Sequence, residues 1–388
     1  RLIFNKTQRE MKIKFLLIPI FFTGLLSSCI QDEAPNAEAD IEYCVIKDKN
    51  ILKNLADTLF KANTDHNRIT IRVKTEADIT KLAPEFVLTE GATINPLSGS
   101  AQDFTKGAVL YTVTSQDKKW QKTYEVSFSR AEMRTDFHFE HFELNTENKK
   151  YYQWYEVLPD DETKYYDWAT GNPGFKLAKA LAKPDEYPTV TYASGVRGNA
   201  VKLETKSTGS FGDMMNMRLA AGNLFLGTFD AEYALKDAMK ATCFGLPFSE
   251  EPLELQGYYK FKAGENFQDK QGIILPDVKD YCDIYGVLYE NTQIVNGVKE
   301  NVMLHGDDVL THPSIVALAR IKQEDIVESD DWTEFRLTFD YKKELSDERL
   351  KNYDYNLSIV FASSVEGASF RGAVGSVLYV DEVSLICK

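Results

Sequence analysis

Short apolar runs that alternate with polar residues recur along most of the chain, and they constrain its fold more than any other feature. Residues 69–73, 109–113 and 124–128 show this alternation in the first third, and residues 255–261 and 378–386 show it later. Alternation at period two is typical of half-buried strands. Turn-forming stretches such as 95–100 separate the runs. The chain is therefore predicted to be all-β.

The strand runs divide into two bodies. Residues 41–131 hold several short runs, which predict a small antiparallel sandwich. Within them, residues 51–60 also allow a short amphipathic helix, although a strand plus a loop is favoured. Residues 131–135 mark the boundary, and residues 136–388 form a larger strand-rich body with only a weak helical period at 231–240. A single sandwich of this size lies within the usual range.

Ordered motifs in both bodies resemble known families. TEGATINP at 89–96, with the strand at 111–114 and Trp120, resembles an immunoglobulin-like spacer domain of Bacteroidota surface lipoproteins. In the second body the ordered motifs are WATGNPGF at 168–175, GNAVKLET at 198–205, AAGNLFLG at 220–227 and FRGAVGS at 370–376. This series resembles the putative carbohydrate metabolism domain of Bacteroidota lipoproteins. The resemblance implies a jelly-roll β-sandwich similar to carbohydrate-binding modules, with no catalytic residues to carry over.

The N-terminus predicts export and lipid anchoring. A basic start at residues 11–14 precedes an apolar run at 15–26 that is too short to span a bilayer, which is typical of a signal peptide. The run ends in LSSC at 26–29, which resembles the bacterial lipobox, so we expect Cys29 to carry lipid. Translation is interpreted as starting at Met11, so residues 1–10 would come from a reading frame that is extended too far upstream. An uncleaved apolar anchor is the alternative.

Residues 29–40 are predicted to form an acidic tether. Their first part resembles the export signal that sends Bacteroidota lipoproteins to the cell surface, and a flexible linker explains them equally well. We therefore expect an outer-membrane lipoprotein, on the surface or on the periplasmic face. Removal of residues 1–28 would take five basic side chains and one acidic side chain from a chain of net charge −14, leaving −18. This charge argues against nucleic acid as a partner.

The remaining cysteines are Cys44, Cys243, Cys282 and Cys387. They form no CxxC motif, so neither a metal finger nor a redox pair is indicated. Mostly free, buried thiols are favoured, and two disulfides stay possible.

Aromatic residues are dense between positions 151 and 175, and they suggest a glycan-binding platform. Trp and Tyr rings offer flat surfaces to the apolar face of a sugar. The candidates are Trp154, Tyr166 and Trp168, with residues 160–162 and Asp167 as hydrogen-bond acceptors. The alternative is that these rings fill the core of the sandwich, as most aromatic residues do.

A structural calcium site is a second candidate, although no cofactor is required. In many jelly-roll binding modules a carboxylate on the first strand and one on the last lie side by side. Here Glu140 and Asp381 occupy the matching positions, and hard oxygen ligands suit Ca²⁺. Ordinary strand carboxylates are the alternative explanation.

No catalytic motif of the GxSxG, HExxH or phosphate-loop type is present. Asp307 and Asp308, with His305 and His312, form the one cluster with a catalytic character, and a turn explains it more simply. The sequence therefore favours a glycan-binding surface lipoprotein with membrane lipid and polysaccharide as partners. The alternative is a structural or adhesive module that contacts an envelope protein. A glycoside hydrolase is a third, less favoured hypothesis.

Overall fold

The computed structural model describes residues 34–53, 59–61, 67–145, 148–157 and 164–388. Residues 36–388 form one compact unit. Cys29, its lipobox, residues 30–33 of the tether and residues 160–162 lie outside the described residues. Within the described ranges, no helix has the length and apolar character needed to cross a membrane.

The first sandwich is built from short strands that pack two small sheets face to face. Its strands are β1 (Ile41–Val45), β2 (Leu59–Lys61), β3 (Arg68–Arg72), β4 (Glu85–Leu88), β5 (Thr93–Asn95), β6 (Val109–Thr114) and β7 (Gln121–Ser129). One sheet has the order β2-β1-β4 and the other the order β3-β7-β6-β5, with β3 parallel to β7. Alternate residues such as Ile69, Ile71 and Val113 are fully buried between the sheets. A 3₁₀ turn at Lys49–Ile51 precedes β2.

The second sandwich contains the remaining strands. They are β8 (Asp136–Phe137), β9 (Phe142–Leu144), β10 (Tyr152–Val157), β11 (Lys164–Ala169), β12 (Thr189–Tyr192), β13 (Ala200–Glu204), β14 (Lys206–Ser207), β15 (Leu219–Ala220), β16 (Asn223–Phe229), β17 (Thr242–Phe244), β18 (Leu246–Phe248), β19 (Pro252–Lys262), β20 (Phe267–Gln268), β21 (Asp283–Glu290), β22 (Thr292–Val295), β23 (Val298–Asn301), β24 (Ile315–Arg320), β25 (Ser329–Thr338), β26 (Asp340–Tyr341), β27 (Tyr355–Ala362), β28 (Gly372–Ala373) and β29 (Val377–Cys387). The α-helices are α1 (Asn172–Ala178), α2 (Gly209–Met214), α3 (Ala231–Ala234) and α4 (Asp347–Lys351). The weak helical period at 231–240 corresponds to α3 and the 3₁₀ turn Ala238–Ala241.

Two large sheets form this sandwich and confirm the predicted all-β class. The ten-stranded sheet follows the order β26-β24-β21-β27-β16-β11-β10-β9, with β17 on β16 and β18 on β27. The six-stranded sheet follows the order β12-β13-β29-β19-β25, with β8 on β29. The main core lies between the two sheets.

The central strands of the ten-stranded sheet are buried on both faces. On β21, Ile284 and Leu288 enter the main core, whereas Tyr285, Val287 and Tyr289 belong to a second apolar cluster on the opposite face. Such burial produces a nearly continuous apolar run instead of strict alternation. The outer face of this sheet is therefore an apolar surface that other elements must cover.

Charged side chains join the two sandwiches. The guanidinium of Arg68 on β3 donates to Asp167 Oδ1 at 3.0 Å and to Glu143 Oε1 at 3.1 Å, and its side chain is 11% exposed. Nearby, Lys53 Nζ donates to Ala131 O at 2.9 Å and lies 3.0 Å from Glu132 Oε1. Because the side chains of Arg68 and Lys53 are largely removed from water, losing their partners is expected to be costly.

The four cysteines of the described chain are free, as predicted. Cys44 and Cys282 are buried, and Cys243 and Cys387 are half-buried.

Candidate functional site

The three rings predicted to form a glycan platform lie in the core, which corrects that expectation. Trp154 is 0% exposed, and Tyr166 and Trp168 are each 3% exposed. Strand alternation on β10 and β11 directs these rings between the two sheets, where Trp168 meets Phe137 edge to face at 5.1 Å. A buried ring cannot offer its face to a sugar, so these residues build the sandwich.

Glu156 explains how the polar edge of Trp168 is accommodated in the core. The indole Nε1 of Trp168 donates to Glu156 Oε1 at 2.9 Å, and Arg134 Nε lies 3.7 Å from Glu156 Oε2. Burial raises the pKa of Glu156 to about 7, although the hydrogen bond from Trp168 and the charge of Arg134 oppose this rise. The carboxyl group thus serves a structural hydrogen bond inside the sandwich.

Asp167 is the one predicted hydrogen-bond acceptor that lies among the described residues, and it is engaged in an ion pair. Its carboxylate accepts from Arg68 at the junction of the two sandwiches. Elsewhere in this region, Tyr151, Phe175 and Tyr187 form a separate small core cluster. Tyr151, Trp154, Tyr166, Trp168 and Phe175 therefore serve packing.

Glu140 and Asp381 do come together, on either side of the loop at residues 195–199. Asp381 is fully buried, and its Oδ2 accepts from the backbone N–H groups of Val196 at 2.6 Å and Arg197 at 3.1 Å. Glu140 Oε1 accepts from Asn199 N at 2.9 Å and its Oε2 from Asn199 Nδ2 at 2.7 Å. Asp381 lies on the last strand as expected, whereas Glu140 lies in the segment between β8 and β9 and not on a strand. The two carboxylates fix the loop against that segment and against β29.

The hydrogen bonds of these carboxylates decide how well the pair would suit a metal ion. Asp381 Oδ1 accepts from Glu382 N at 2.8 Å, so every carboxylate oxygen of the pair already receives an N–H donor. Ca²⁺ needs six to eight oxygen ligands, and this donor set does not fit it unless the loop is displaced. In the described part of the chain, no three His, Cys, Asp or Glu side chains come together as metal ligands.

Burial raises the pKa of Asp381 to about 6, and the three backbone donors oppose that rise.

At Gly198, where φ is +61°, a Cβ would collide with the Glu140 carboxylate. Glycine is therefore required for the loop to close onto Glu140.

The histidine and aspartate cluster at 305–312 forms a turn. Asp308 Oδ1 accepts from His305 N at 2.7 Å, and Asp307 pairs with Lys240 at 2.8 Å. His312 Nδ1 lies 2.7 Å from Ser314 Oγ. The contacts of Asp308 and His312 are those of a local turn, which agrees with the simpler interpretation of this cluster, and the Asp307 pair ties the turn to Lys240.

A row of rings that the sequence analysis missed lies on the outer face of the six-stranded sheet. We define the aromatic row as Tyr192 on β12, Tyr379 on β29 and Trp332 on β25, all half-buried. Tyr192 and Tyr379 have ring centroids 4.5 Å apart. Lys260 on β19 lies between the members, with Nζ 4.8 Å from the Trp332 ring and 5.9 Å from that of Tyr192.

Strand pairing explains how distant residues meet in this row. Lys202 pairs with Tyr379, and Tyr379 pairs with Lys260, so these side chains share one face across three strands. The neighbours of Tyr379 in sequence, Leu378 and Val380, are fully buried in the core. The alternation of residues along β29 therefore indicates that Tyr379 faces outward, but nothing in the sequence places it beside Tyr192 and Trp332.

A polar groove adjoins the aromatic row. We call it the loop groove; its volume is about 460 Å³, and it lies between the loop at 262–266, residues 374–375 and the start of β25. Lys260 and Tyr379 line both the row and the groove. Glu265, Asn266 and Asp330 supply hydrogen-bonding groups on its walls.

Comparison with known proteins assigns the family. A family model described as "putative carbohydrate metabolism domain" matches residues 138–386. The chain belongs to this family. A second model, described as "SGBP, N-terminal", matches residues 53–127. The predicted layout, an immunoglobulin-like domain followed by this carbohydrate-related domain, is therefore confirmed.

Two similar solved structures support the assignment. The crystal structure of a putative glycoside hydrolase from Bacteroides thetaiotaomicron VPI-5482 has a TM-score of 0.81 and 41% sequence identity, covering 92% of this chain and 99% of that chain. That of a putative glycoside hydrolase from Bacteroides vulgatus ATCC 8482 has a TM-score of 0.60 and 39% identity, covering 66% of this chain and 99% of that chain. A search of curated proteins found no significant match.

Proposed function

We propose that this chain is a glycan-binding protein whose jelly roll holds polysaccharide on the outer face of its six-stranded sheet. The observation that carries the proposal is the aromatic row beside the loop groove. Rings that are half-exposed on one sheet face can stack on the apolar faces of sugars. A binding site also needs a few polar groups that fix the orientation of the ligand, and the groove supplies them.

The charges around the row suit a sugar with many hydroxyl groups. Lys260 is held by two rings, and among the described residues no carboxylate lies within ion-pairing distance of its Nζ. Its N–H groups can therefore donate to sugar oxygens. Glu265 and Asp330 are exposed acceptors on the groove walls. Donors and acceptors are thus both available around the rings.

We further propose that the protein is displayed at the cell surface through lipid on Cys29. The LSSC motif and the apolar run before it support this step, and the first sandwich would then lift the jelly roll away from the membrane. Lipid chains contribute about 0.8 kcal/mol per buried CH₂, so several chains hold a protein on a membrane. Metabolic labelling with an alkyne fatty acid should tag the wild type and leave Cys29→Ala untagged.

Binding measurements on three variants of residues 36–388 test the glycan proposal. A panel of host and dietary polysaccharides is first screened by affinity electrophoresis, and Trp332→Ala and Tyr379→Ala are then measured on each bound glycan. We expect each variant to bind about fivefold to tenfold more weakly, because a ring contact contributes about 1 kcal/mol beyond its buried area.

Trp120→Ala is the matched control, since this ring is 62% exposed but lies in the first sandwich. It should bind like the wild type. Unchanged binding by both Trp332→Ala and Tyr379→Ala would remove the aromatic row as the site.

Hydrolysis is the second candidate, because two similar structures are described as putative glycoside hydrolases. A glycosidase needs two carboxylates across the scissile bond, and Glu265 and Asp330 both line the loop groove. Both are exposed, whereas a catalytic acid usually lies in an environment that keeps it protonated. Release of reducing ends from a bound glycan, lost in Asp330→Asn, would favour hydrolysis over binding alone.

A further inference from the structure

A cavity lies on the outer face of the ten-stranded sheet, on the opposite side of the sandwich from the aromatic row. We call it the sheet-face cavity. Its floor is formed by residues of β16, β21 and β27, and α1, α2 and the segment around α3 form its walls. Its volume is about 240 Å³. An engineered apolar cavity of about 150 Å³ binds benzene, so this space can hold a larger hydrocarbon group.

The lining of the sheet-face cavity is mainly apolar. Phe175, Phe225 and Phe244 are buried in it, and Met215, Met217 and Met239 add flexible side chains. Methionine adapts its shape to irregular apolar ligands. The chemistry of this wall suits a hydrocarbon chain.

The polar groups of the cavity do not suit a sugar. Asp283 is the one carboxylate in the lining, and both of its oxygens accept from Arg320, at 2.9 and 2.7 Å. Sugar hydroxyls buried without hydrogen bonds would be costly. The cavity therefore calls for a ligand different from the one proposed for the aromatic row.

The rim of the cavity combines exposed apolar side chains with a cation. Leu177, Phe211, Met215 and Leu235 line the cavity and are each about two-fifths exposed, at 38–42%. An amphiphile would cover this apolar rim on entering. Patches of this kind in soluble proteins mark sites of interaction.

Lys179 provides a positive charge beside residues of this rim, although it is not itself part of the lining. It follows Leu177 and Ala178 at the end of α1, and its Nζ lies 2.6 Å from the position that a Cβ on Gly209 would take. Gly209 begins α2, and its neighbours Thr208 and Phe211 line the cavity. Among the described residues no carboxylate lies within ion-pairing distance of Lys179, although the chain as a whole is acidic.

We propose that the sheet-face cavity binds a free fatty acid, with its alkyl chain inside and its carboxylate at Lys179. The apolar lining accounts for the chain, and charge complementarity at the rim accounts for the head group. Each methylene of the chain should add about fourfold to the affinity, the equivalent of about 0.8 kcal/mol. The site is separate from the glycan site and does not depend on it.

Calorimetric titration of residues 36–388 with octanoate and decanoate, each below its micellar concentration, tests the proposal. We expect decanoate to bind about fifteenfold more tightly than octanoate, from two additional methylenes. Ala238→Phe places a ring in the cavity and should abolish binding of both acids. Near-ultraviolet circular dichroism establishes that this variant is folded.

Lys179→Met tests the contribution of the fatty acid's carboxylate apart from that of its alkyl chain, because this exposed substitution leaves the cavity interior unchanged. It should weaken decanoate about fivefold and leave decanol unchanged, while Lys81→Met, on the exposed surface of the first sandwich, should match the wild type for both. Absence of decanoate binding would overturn the proposal, and so would equal binding by wild type and folded Ala238→Phe. Binding of phospholipid vesicles without binding of free acid would overturn it as well.

Discussion

Replacing Glu156 with glutamine should stabilise the protein above pH 7 and have little effect near pH 4.5. The side chain is 7% exposed, and its Oε1 accepts from the indole of Trp168. Glutamine keeps an acceptor for this hydrogen bond and is neutral at every pH. The substitution therefore removes the cost of a buried charge while preserving the contact.

The expected magnitude follows from the shift in pKa. Burial raises the pKa of Glu156 from its ordinary value of 4.5 to about 7. Between these values the folded state binds more protons than the unfolded state, so the free energy of unfolding falls as pH rises. A pKa difference of this size lowers the free energy of unfolding by about 3 kcal/mol, and the full decrease is reached above pH 7. The glutamine variant should lack this loss.

Urea unfolding, followed by tryptophan fluorescence at four pH values from 4.5 to 8, measures the effect. The free energy of unfolding of Glu156→Gln minus that of wild type should grow from near zero to about 3 kcal/mol across this range. Glu300→Gln, an exposed glutamate on β23, serves as the control and should show no such growth. A difference between Glu156→Gln and wild type that is constant with pH would refute the assignment of a raised pKa to Glu156.

Three further outcomes test other parts of the structure. Asp381→Ala should destabilise the protein by about 2 kcal/mol, because it leaves backbone N–H groups of the 195–199 loop without acceptors, and amide exchange at Val196 should accelerate. The melting temperature should be the same in calcium and in chelator. A higher melting temperature in calcium would show that the loop opens to provide oxygen ligands. Arg68→Ala should expose residues 131–135 to limited proteolysis, since it removes the ion pairs between the sandwiches; an unchanged cleavage rate would count against that role.

The strands were predictable because their side chains face two different environments. On β3 and β7 one face meets the core and the other meets water, so the alternation of residues 69–73 and 124–128 is visible in sequence. On β21 and β27 both faces are covered, and nearly every residue is buried, including Asn356 and Ser358. The sequence of such a strand gives no sign that helices cover its outer face.

The site was harder to predict because it depends on pairing between distant strands. Alternation placed Trp154 and Tyr152 on one face of β10, but it could not decide which face met the core. Residues of the aromatic row lie in three separate strands, and each appears in sequence as an isolated ring. Glu140 and Asp381 were paired through a family resemblance, since nothing in their local sequence connects two positions 241 residues apart.

The two outer faces of the jelly roll differ because the chain covers them differently. On the six-stranded sheet no helix lines the region around Lys260 and Tyr379 among the described residues, so these outward residues keep contact with water and become a ring-lined surface. On the ten-stranded sheet, α1, α2 and the segment around α3 pack on the outer face and cover apolar residues of β16, β21 and β27. These short helices cannot fill the whole face, and the space left beneath them is the sheet-face cavity. One sandwich thereby carries a surface that suits sugars and an interior pocket that suits hydrocarbon, separated by the thickness of its main core.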